Sequence, residues 1–213
     1  MKISLYELGQ LGTNAYLLYP DNSDKAILID APLESAEEIP VHLKDDGKTL
    51  EAILMTHGHW DHTWDAGPLQ KKTGAKLYAG EKGRMLIEDP SFQKKNLFAQ
   101  SEYEGAKVDV VAKDAMEFEV AGVKIKSFEA EGHCPGSVLY YIEDGDKKYL
   151  FAGDVIFQGS VGRSDLWGGD YAVLEKSIKE KIYTLPDDTI ILPGHGEPTT
   201  VEFEKRSNPF VRA

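Results

Sequence analysis

The chain predicts an α/β layered fold, two mixed β-sheets packed face to face with helices outside, an αββα sandwich. Three observations carry this. Strand-like runs fall into two groups, one before about residue 80 and one after about residue 105, and each group is accompanied by helical patterns. Asp144-Gly145 separates two apolar runs and is a strong hairpin signal. The 213 residues, with no repeat, low-complexity stretch or linker, suit one domain over 1–213 with a substantial core.

The elements follow in order. Lys2 to Leu8, Asn14 to Tyr19 and Lys25 to Asp30 read as strands, separated by Gly12-Thr13 and Pro20-Asp21-Asn22-Ser23 turn chemistry. Glu34 to Asp46 places Ile39 and Leu43 at helical spacing with Gly47 just beyond, so a surface helix precedes strand Glu51 to Met55. His42 fits no motif and belongs to the solvent side of that helix. Asp65 to Lys72 and Glu81 to Glu88 predict helices around a strand at Lys76 to Ala79. Ser91 to Ala106, with Lys94, Lys95 and Phe98, is the least regular segment and predicts a loop or irregular helix. Strands return at Lys107 to Val111, Met116 to Val120, Val123 to Phe128, Ser137 to Ile142 and Lys147 to Ala152. Tyr171 to Tyr183 carries Leu174, Ile178 and Ile182 at helical intervals and is the best helix of the chain.

Composition narrows the function. A formal net charge of -12, from 24 basic and 36 acidic side chains, disfavours a nucleic-acid partner, because phosphate backbones need basic surfaces. The single cysteine, Cys134, excludes an internal disulfide and accords with a reducing compartment. Met1 to Leu11 has no apolar core of signal-peptide length and no window approaches a membrane span, so a cytoplasmic protein without membrane contact is expected.

Five of the six histidines fall in three short motifs. Thr56-His57-Gly58-His59-Trp60-Asp61-His62 sets three imidazoles and a carboxylate directly after an apolar run. Imidazole and carboxylate are ligands for Zn²⁺ and neighbouring first-row metals, so this loop reads as a metal cradle. In a tight loop His57 and His59 can turn to one metal while Asp61 and His62 turn to a second. Two sites need more ligands, and candidates are present. His133 stands in the Gly/Pro-rich turn Glu131 to Ser137, Asp154 ends the run Tyr149 to Gly153, and His195 follows Ile190-Ile191-Leu192-Pro193-Gly194. Alone, His133 or His195 would read as an ordinary hydrogen-bonded loop residue, and Asp154 as a helix cap. The cluster at 57–62 changes that balance.

These residues resemble the metallo-β-lactamase superfamily signature, His-x-His-x-Asp-His followed by an isolated His, a Gly-Asp and a final Gly-His, and the resemblance spans nearly the whole chain. It implies the αββα fold and two divalent metals, zinc foremost, with iron or manganese able to use the same donors. It assigns one metal to His57, His59 and His133, the other to Asp61, His62 and His195, and a bridging role to Asp154. The stretch Phe151 to Asp170, including Gly162-Arg163-Ser164-Asp165, and the tail Pro193 to Thr200 closing on Asn208-Pro209-Phe210, resemble short single-domain bacterial members of the type II glyoxalase-like branch. That implies hydrolysis of a small-molecule thioester such as hydroxyacylglutathione. Full-length type II glyoxalases add a C-terminal helical domain that supplies much of the glutathione contact, and this sequence stops soon after His195.

The expected mechanism uses a hydroxide bridging two metals, since metal coordination moves the acidity of water from about 16 to near 7. Asp61 would hold one metal and orient the hydroxide. Arg163 would meet a substrate carboxylate or pair internally with Asp165, and Trp60 and Trp64 would line the cleft mouth or pack on the domain. Cys134 is expected to be a small filler. A lactonase or other ester hydrolase shares the ligand set, and a mononuclear-iron persulfide dioxygenase shares the Gly-Arg-x-Asp stretch. Asp154 and the absence of a leader speak against a β-lactamase. A non-catalytic metal-binding module is the reading from another class, disfavoured because structural zinc sites are usually closed and cysteine-rich.

Overall fold

The computed structural model describes residues 1–89, 91–92 and 103–213. Lys94, Lys95 and Phe98 lie outside them.

Two six-stranded mixed sheets form the centre. The first runs β1 (Lys2–Leu8), β2 (Thr13–Tyr19), β3 (Lys25–Ile29), β4 (Thr49–Leu54), β5 (Lys76–Ala79) and β6 (Val110–Val111) in sequential order. β1 to β3 pair antiparallel, and β3 to β6 pair parallel. The second sheet has the order β14-β13-β10-β9-β8-β7, from β7 (Met116–Val120), β8 (Val123–Glu129), β9 (Val138–Asp144), β10 (Lys147–Gly153), β13 (Ile190–Pro193) and β14 (Thr199–Thr200). Only β10 and β13 pair parallel there. A small hairpin, β11 (Ile156–Phe157) and β12 (Ser160–Val161), stands apart.

Alternation along each strand builds three apolar layers, because successive side chains point to opposite faces. In β2, Tyr16 and Leu18 join Ile27, Ile29, Ala52 and Leu54 against Val138, Tyr140, Ile142 and Phe151 of the other sheet. Its other face, Ala15, Leu17 and Tyr19, packs with Ile39, Leu43 and Leu69 from helices α1 (Ser35–Asp45) and α3 (Ala66–Thr73). On the far side, Leu139, Leu150, Ala152 and Ile191 meet Leu174, Ile178 and Ile182. The predicted αββα layering is the observed one.

Local departures have local causes. The helix predicted from Glu81 splits into a 3₁₀ turn, Glu81–Gly83, and α4 (Arg84–Glu88). The long helix at Tyr171 is α-helical as α5 (Tyr171–Ser177), started by Asp170, whose carboxylate accepts from the Val173 N–H. Its end, Ile178–Ile182, widens into a π turn in which the Tyr183 N–H bonds the Ile178 carbonyl. Of the strand predicted at Lys107 to Val111 only two residues pair. In the β9–β10 hairpin Asp144 pairs with Lys147, so the turn pair is Gly145-Asp146, with Gly145 at φ 60°. A glycine first in a two-residue turn matches the twist of the flanking strands. The one-turn helix α2 (Trp60–Thr63) and α6 (Val201–Ser207) complete the fold. No helix among the described residues is long and apolar enough to cross a membrane.

Candidate metal centre

All the candidate ligands sit at one end of the sandwich, where β4, β8, β10 and β13 finish. After β4 the chain crosses Met55 to Gly58 and enters α2 with His59 as its extended N-terminal flank. Tyr140 and Val138 of β9 tie this crossing to the other sheet: the Tyr140 hydroxyl donates to the Met55 carbonyl at 2.9 Å, and the Val138 N–H to the Thr56 carbonyl at 2.7 Å. His57, His62 and His133 are buried, and Asp61, Asp154 and His195 are partly exposed.

The side chains gather in two triads. His57 Nε2 lies 3.1 Å from His59 Nδ1, His133 Nε2 lies 3.3 Å from His57 Nε2, and His133 Nε2 lies 2.9 Å from His59 Nδ1. In the second triad His62 Nε2 lies 3.3 Å from His195 Nε2, which in turn stands 3.3 Å from Asp61 Oδ2. Asp154 stands between them, Oδ2 3.8 Å from His133 Nε2 and 3.6 Å from His195 Nε2, Oδ1 3.2 Å from His62 Nε2.

The outward ring nitrogens decide what the inward ones carry. Thr56 donates its hydroxyl to Asp30 Oδ2 at 2.7 Å, so the hydroxyl oxygen is left to accept from His57 Nδ1 at 3.1 Å. His62 Nδ1 donates to Asp30 Oδ2 at 2.8 Å, and His133 Nδ1 to the Arg163 carbonyl at 2.7 Å. With a proton committed to each Nδ1, Nε2 is the atom each ring turns inward, bare on His57 and His133, whose pKa values are lowered. Lone pairs facing one another near 3 Å need a cation between them. Tetrahedral Zn–N bonds of about 2.05 Å put ligand atoms about 3.3 Å apart, close to these spacings. Asp154 Oδ1 is buried without a hydrogen-bond donor, and His62 Nε2 reaches it only at ion-pair distance. Ring nitrogens, carboxylates and an orphaned oxygen together fit divalent ions, with three groups of donors close enough to share one.

The electrostatics divide the cluster. Burial, reinforced by neighbouring imidazoles, holds His57 well below its ordinary pKa, and burial with His133 lowers His59 to about 4. His133 is lowered as well, chiefly by burial. Burial opposes charge on His62 too, but Asp154, Asp61 and Asp30 outweigh it and push the ring well up. Against the same burial, a hydrogen bond to Asp61 helps raise His195. Burial would raise the Asp61 and Asp154 carboxyls, yet the histidines, His62 first, hold both below the usual carboxylate range. The imidazoles of the first triad thus favour the neutral form, whereas His62 in the second holds a proton until a cation displaces it.

Several residues that build the centre carry no ligand motif. Asp30, buried at φ 59°, accepts from His62, the Thr56 hydroxyl and the Thr56 N–H, the last at 2.7 Å. Asn14 and Tyr16 latch the His195 loop: Asn14 Nδ2 donates to the Pro193 and Gly196 carbonyls at 3.0 and 2.9 Å, and the Tyr16 hydroxyl to Pro193 at 2.7 Å. Glu204, fully buried in α6, accepts from the Gly159 N–H at 3.1 Å and from Thr199 at 2.6 Å, fixing the β11–β12 hairpin that leads to Arg163.

Gly194 is required by close approach: a Cβ there would press on Asp154 Oδ1 and on His62 Cε1. Cys134 is fully buried, donates toward the Pro135 carbonyl at 3.6 Å, and has its thiol pushed up to about 12 by burial.

The triads open into a cleft of about 450 Å³. Trp60 lines it, whereas Trp64 packs between Trp60 and Tyr103, ring centroids 5.8 and 5.9 Å away. Arg163 also lines it, with Nε and Nη2 on the two oxygens of Asp165 at 2.8 and 2.9 Å.

Known proteins align with this chain over nearly its full length. Probable metallo-hydrolase YqgX of Bacillus subtilis is 34% identical, with 99% of this chain and 98% of that protein aligned. Hydroxyacylglutathione hydrolase GloC of Haemophilus influenzae is 32% identical, covering 100% of this chain and 99% of its own length. The crystal structure of BLEG-1 B3 metallo-beta-lactamase superposes with a TM-score of 0.90 at 35% identity, covering 100% of both chains. Residues 8–195, from the end of β1 to the last histidine of the second triad, match the metallo-beta-lactamase superfamily, and to that superfamily of metal-binding hydrolases this chain belongs.

Proposed function

We propose that this protein is a thioester hydrolase with two divalent ions, zinc foremost, resembling type II glyoxalase in its chemistry. The observation that carries the reading is Asp154, whose Oδ2 stands between His133 and His195, within 3.8 Å of each. A carboxylate so placed can be shared by two neighbouring ions, one held by His57, His59 and His133 and the other by Asp61, His62 and His195. Bound there, divalent ions supply Lewis acidity and a water acidic enough to ionise near neutral pH.

The chain's own residues do the rest. Asp61 directs Oδ2 toward His195 and receives the Thr13 hydroxyl at 3.5 Å, so the carboxylate is held from both sheets. From the second triad it is placed to orient the attacking water toward the acyl carbon. Asp30 and the Arg163 carbonyl keep His62 and His133 in one tautomer, so no ring must reorganise during turnover. No serine or cysteine nucleophile is needed, and Cys134 is buried away from the cleft.

Thioesters lead because GloC, a hydroxyacylglutathione hydrolase, aligns end to end at 32% identity. The experiment is turnover of S-lactoylglutathione and a neutral thioester, with lactones and β-lactams alongside, before and after chelation. Thioester cleavage that disappears on chelation and returns with zinc, iron or manganese is expected. Chelation that unfolds the protein, with no ester, thioester or lactone ever cleaved, would leave a metal-stapled scaffold instead.

A further inference from the structure

The cleft beside the metal ligands is walled mainly by hydrocarbon. Leu11, Trp60, Leu86, Phe92, Leu166 and Trp167 line it, drawn from the β1–β2 turn, α2, α4 and the segments at 91–92 and 163–169. Trp167 is 52% exposed, Leu11 55% and Leu166 40%, so large apolar side chains are held in solvent at its mouth. Trp167 is not a loose surface residue. Its ring meets Phe92 edge to face at 4.9 Å, and Gly168 beside it, at φ 75°, lies so close to the Pro135 ring that a Cβ would collide. Apolar groups positioned this way at a concave site mark ligand contact.

Charge points the same way. Among the described residues Arg163 is the one Lys or Arg lining the cleft, and its guanidinium fork is already engaged by both oxygens of Asp165. With Asp61 and Asp154 committed to the ions, no free cationic side chain among the described residues of the cleft is left to meet a carrier bearing carboxylates, and the net charge of -12 adds no long-range attraction for one.

Resting on the thioester-hydrolase reading, we infer that the substrate bears one uncharged, bulky apolar arm, aliphatic of about six carbons or aryl, seated between Leu11 and the Phe92–Trp167 pair. Trp167 is a specificity-determining residue for that arm. The arm leaves the carbonyl at the ligand triads and excludes water from the cleft.

Binding and turnover test this separately. Titration calorimetry compares S-benzyl-N-acetylcysteamine, a neutral thioether that cannot be hydrolysed, with S-methylglutathione on the metal-loaded protein. The benzyl compound is expected to bind at least tenfold tighter, and Trp167→Ala to shrink that ratio at least fivefold. Circular dichroism and metal content of the variant check its fold. A ratio of one or less, or one that Trp167→Ala leaves unchanged, overturns the inference. In turnover, kcat/KM for N-acetylcysteamine thioesters is expected to rise about fourfold per methylene from acetyl to hexanoyl. Tight, Trp167-dependent binding without hydrolysis of any acyl compound would overturn the hydrolase reading while the apolar site stands. Hydrolysis in which S-lactoylglutathione outperforms the hexanoyl thioester would do the reverse.

Discussion

Asp30 Oδ2 accepts the Nδ1 proton of His62 at 2.8 Å, although the two residues are 32 positions apart and both are buried. The same oxygen takes the Thr56 hydroxyl, which in turn receives His57 Nδ1, so one carboxylate orients a ligand in each triad. Asp30→Ala is expected to weaken metal binding about 10- to 100-fold, the usual cost of losing an outer partner of a ligand. A buried N–H and a hydroxyl lose their acceptor as well, which costs about 3 kcal/mol of stability. Chelator competition and chemical denaturation measure the two effects.

Gly194→Ala tests steric closeness alone, since it alters no charge and no donor. The added methyl would meet Asp154 Oδ1 and His62 Cε1, which must move apart. We expect occupancy at the second triad to fall at least tenfold while the three-histidine site retains its ion. Metal content per chain by elemental analysis reads this directly.

The opposite pKa shifts make the two sites differ in pH response. His57, His59 and His133 titrate below 6.5, so at pH 7 they are already free to bind, and filling that site should release little acid. His62 is raised well above 6.5, so it holds a proton in the metal-free protein that the ion must expel, and His195 is shifted in the same direction. Apparent affinity of the second site should therefore fall, by about tenfold per pH unit for each proton displaced, as pH drops below the folded pKa values. Calorimetry in buffers of different ionisation enthalpy counts the protons. Equal release at both sites would contradict the assignment.

Asp61→Ala removes the one carboxylate that belongs to the second triad alone. Turnover should fall by at least 10³ with weakened binding of the second ion, since an oriented attacking group is worth several kcal/mol. Unchanged activity at full metal occupancy would refute its orienting role.

Cys134, fully buried with its thiol raised to about 12, should resist alkylation in the folded protein at pH 8. Modification is expected only at the rate of opening, and addition of denaturant should expose the thiol fully. Rapid labelling of the native form would contradict the filler role.

The sandwich and the ligand motifs were legible because each announces itself over a few residues. Alternating apolar runs give strands, and His57 to His62 concentrates donors that have little other reason to cluster. The supporting set was not, because its bonds link distant segments: Asn14 to Gly196 spans 182 positions, Asp30 to Thr56 spans 26. One signal was available. Ile27-Leu28-Ile29-Asp30 repeats the apolar-run-then-carboxylate pattern that marks Asp154, but an acid ending a strand also reads as ordinary turn chemistry. β11, β12 and β14, two residues each, are too short for any periodicity to register. The π turn at Ile178 keeps the apolar spacing of an α-helix, so sequence could not separate the two.

All the chemistry occupies the end where β4, β10 and β13 stop. A seven-residue strand such as β10 is about 20 Å long, so the turns Ala121-Gly122 and Gly145-Asp146, where β7 to β10 reverse, lie a full strand away. That end of the sandwich is a natural attachment point: a peptide tag, fluorophore or surface tether grafted at either turn should leave catalysis intact, whereas the same graft at Gly12 would crowd the doorway.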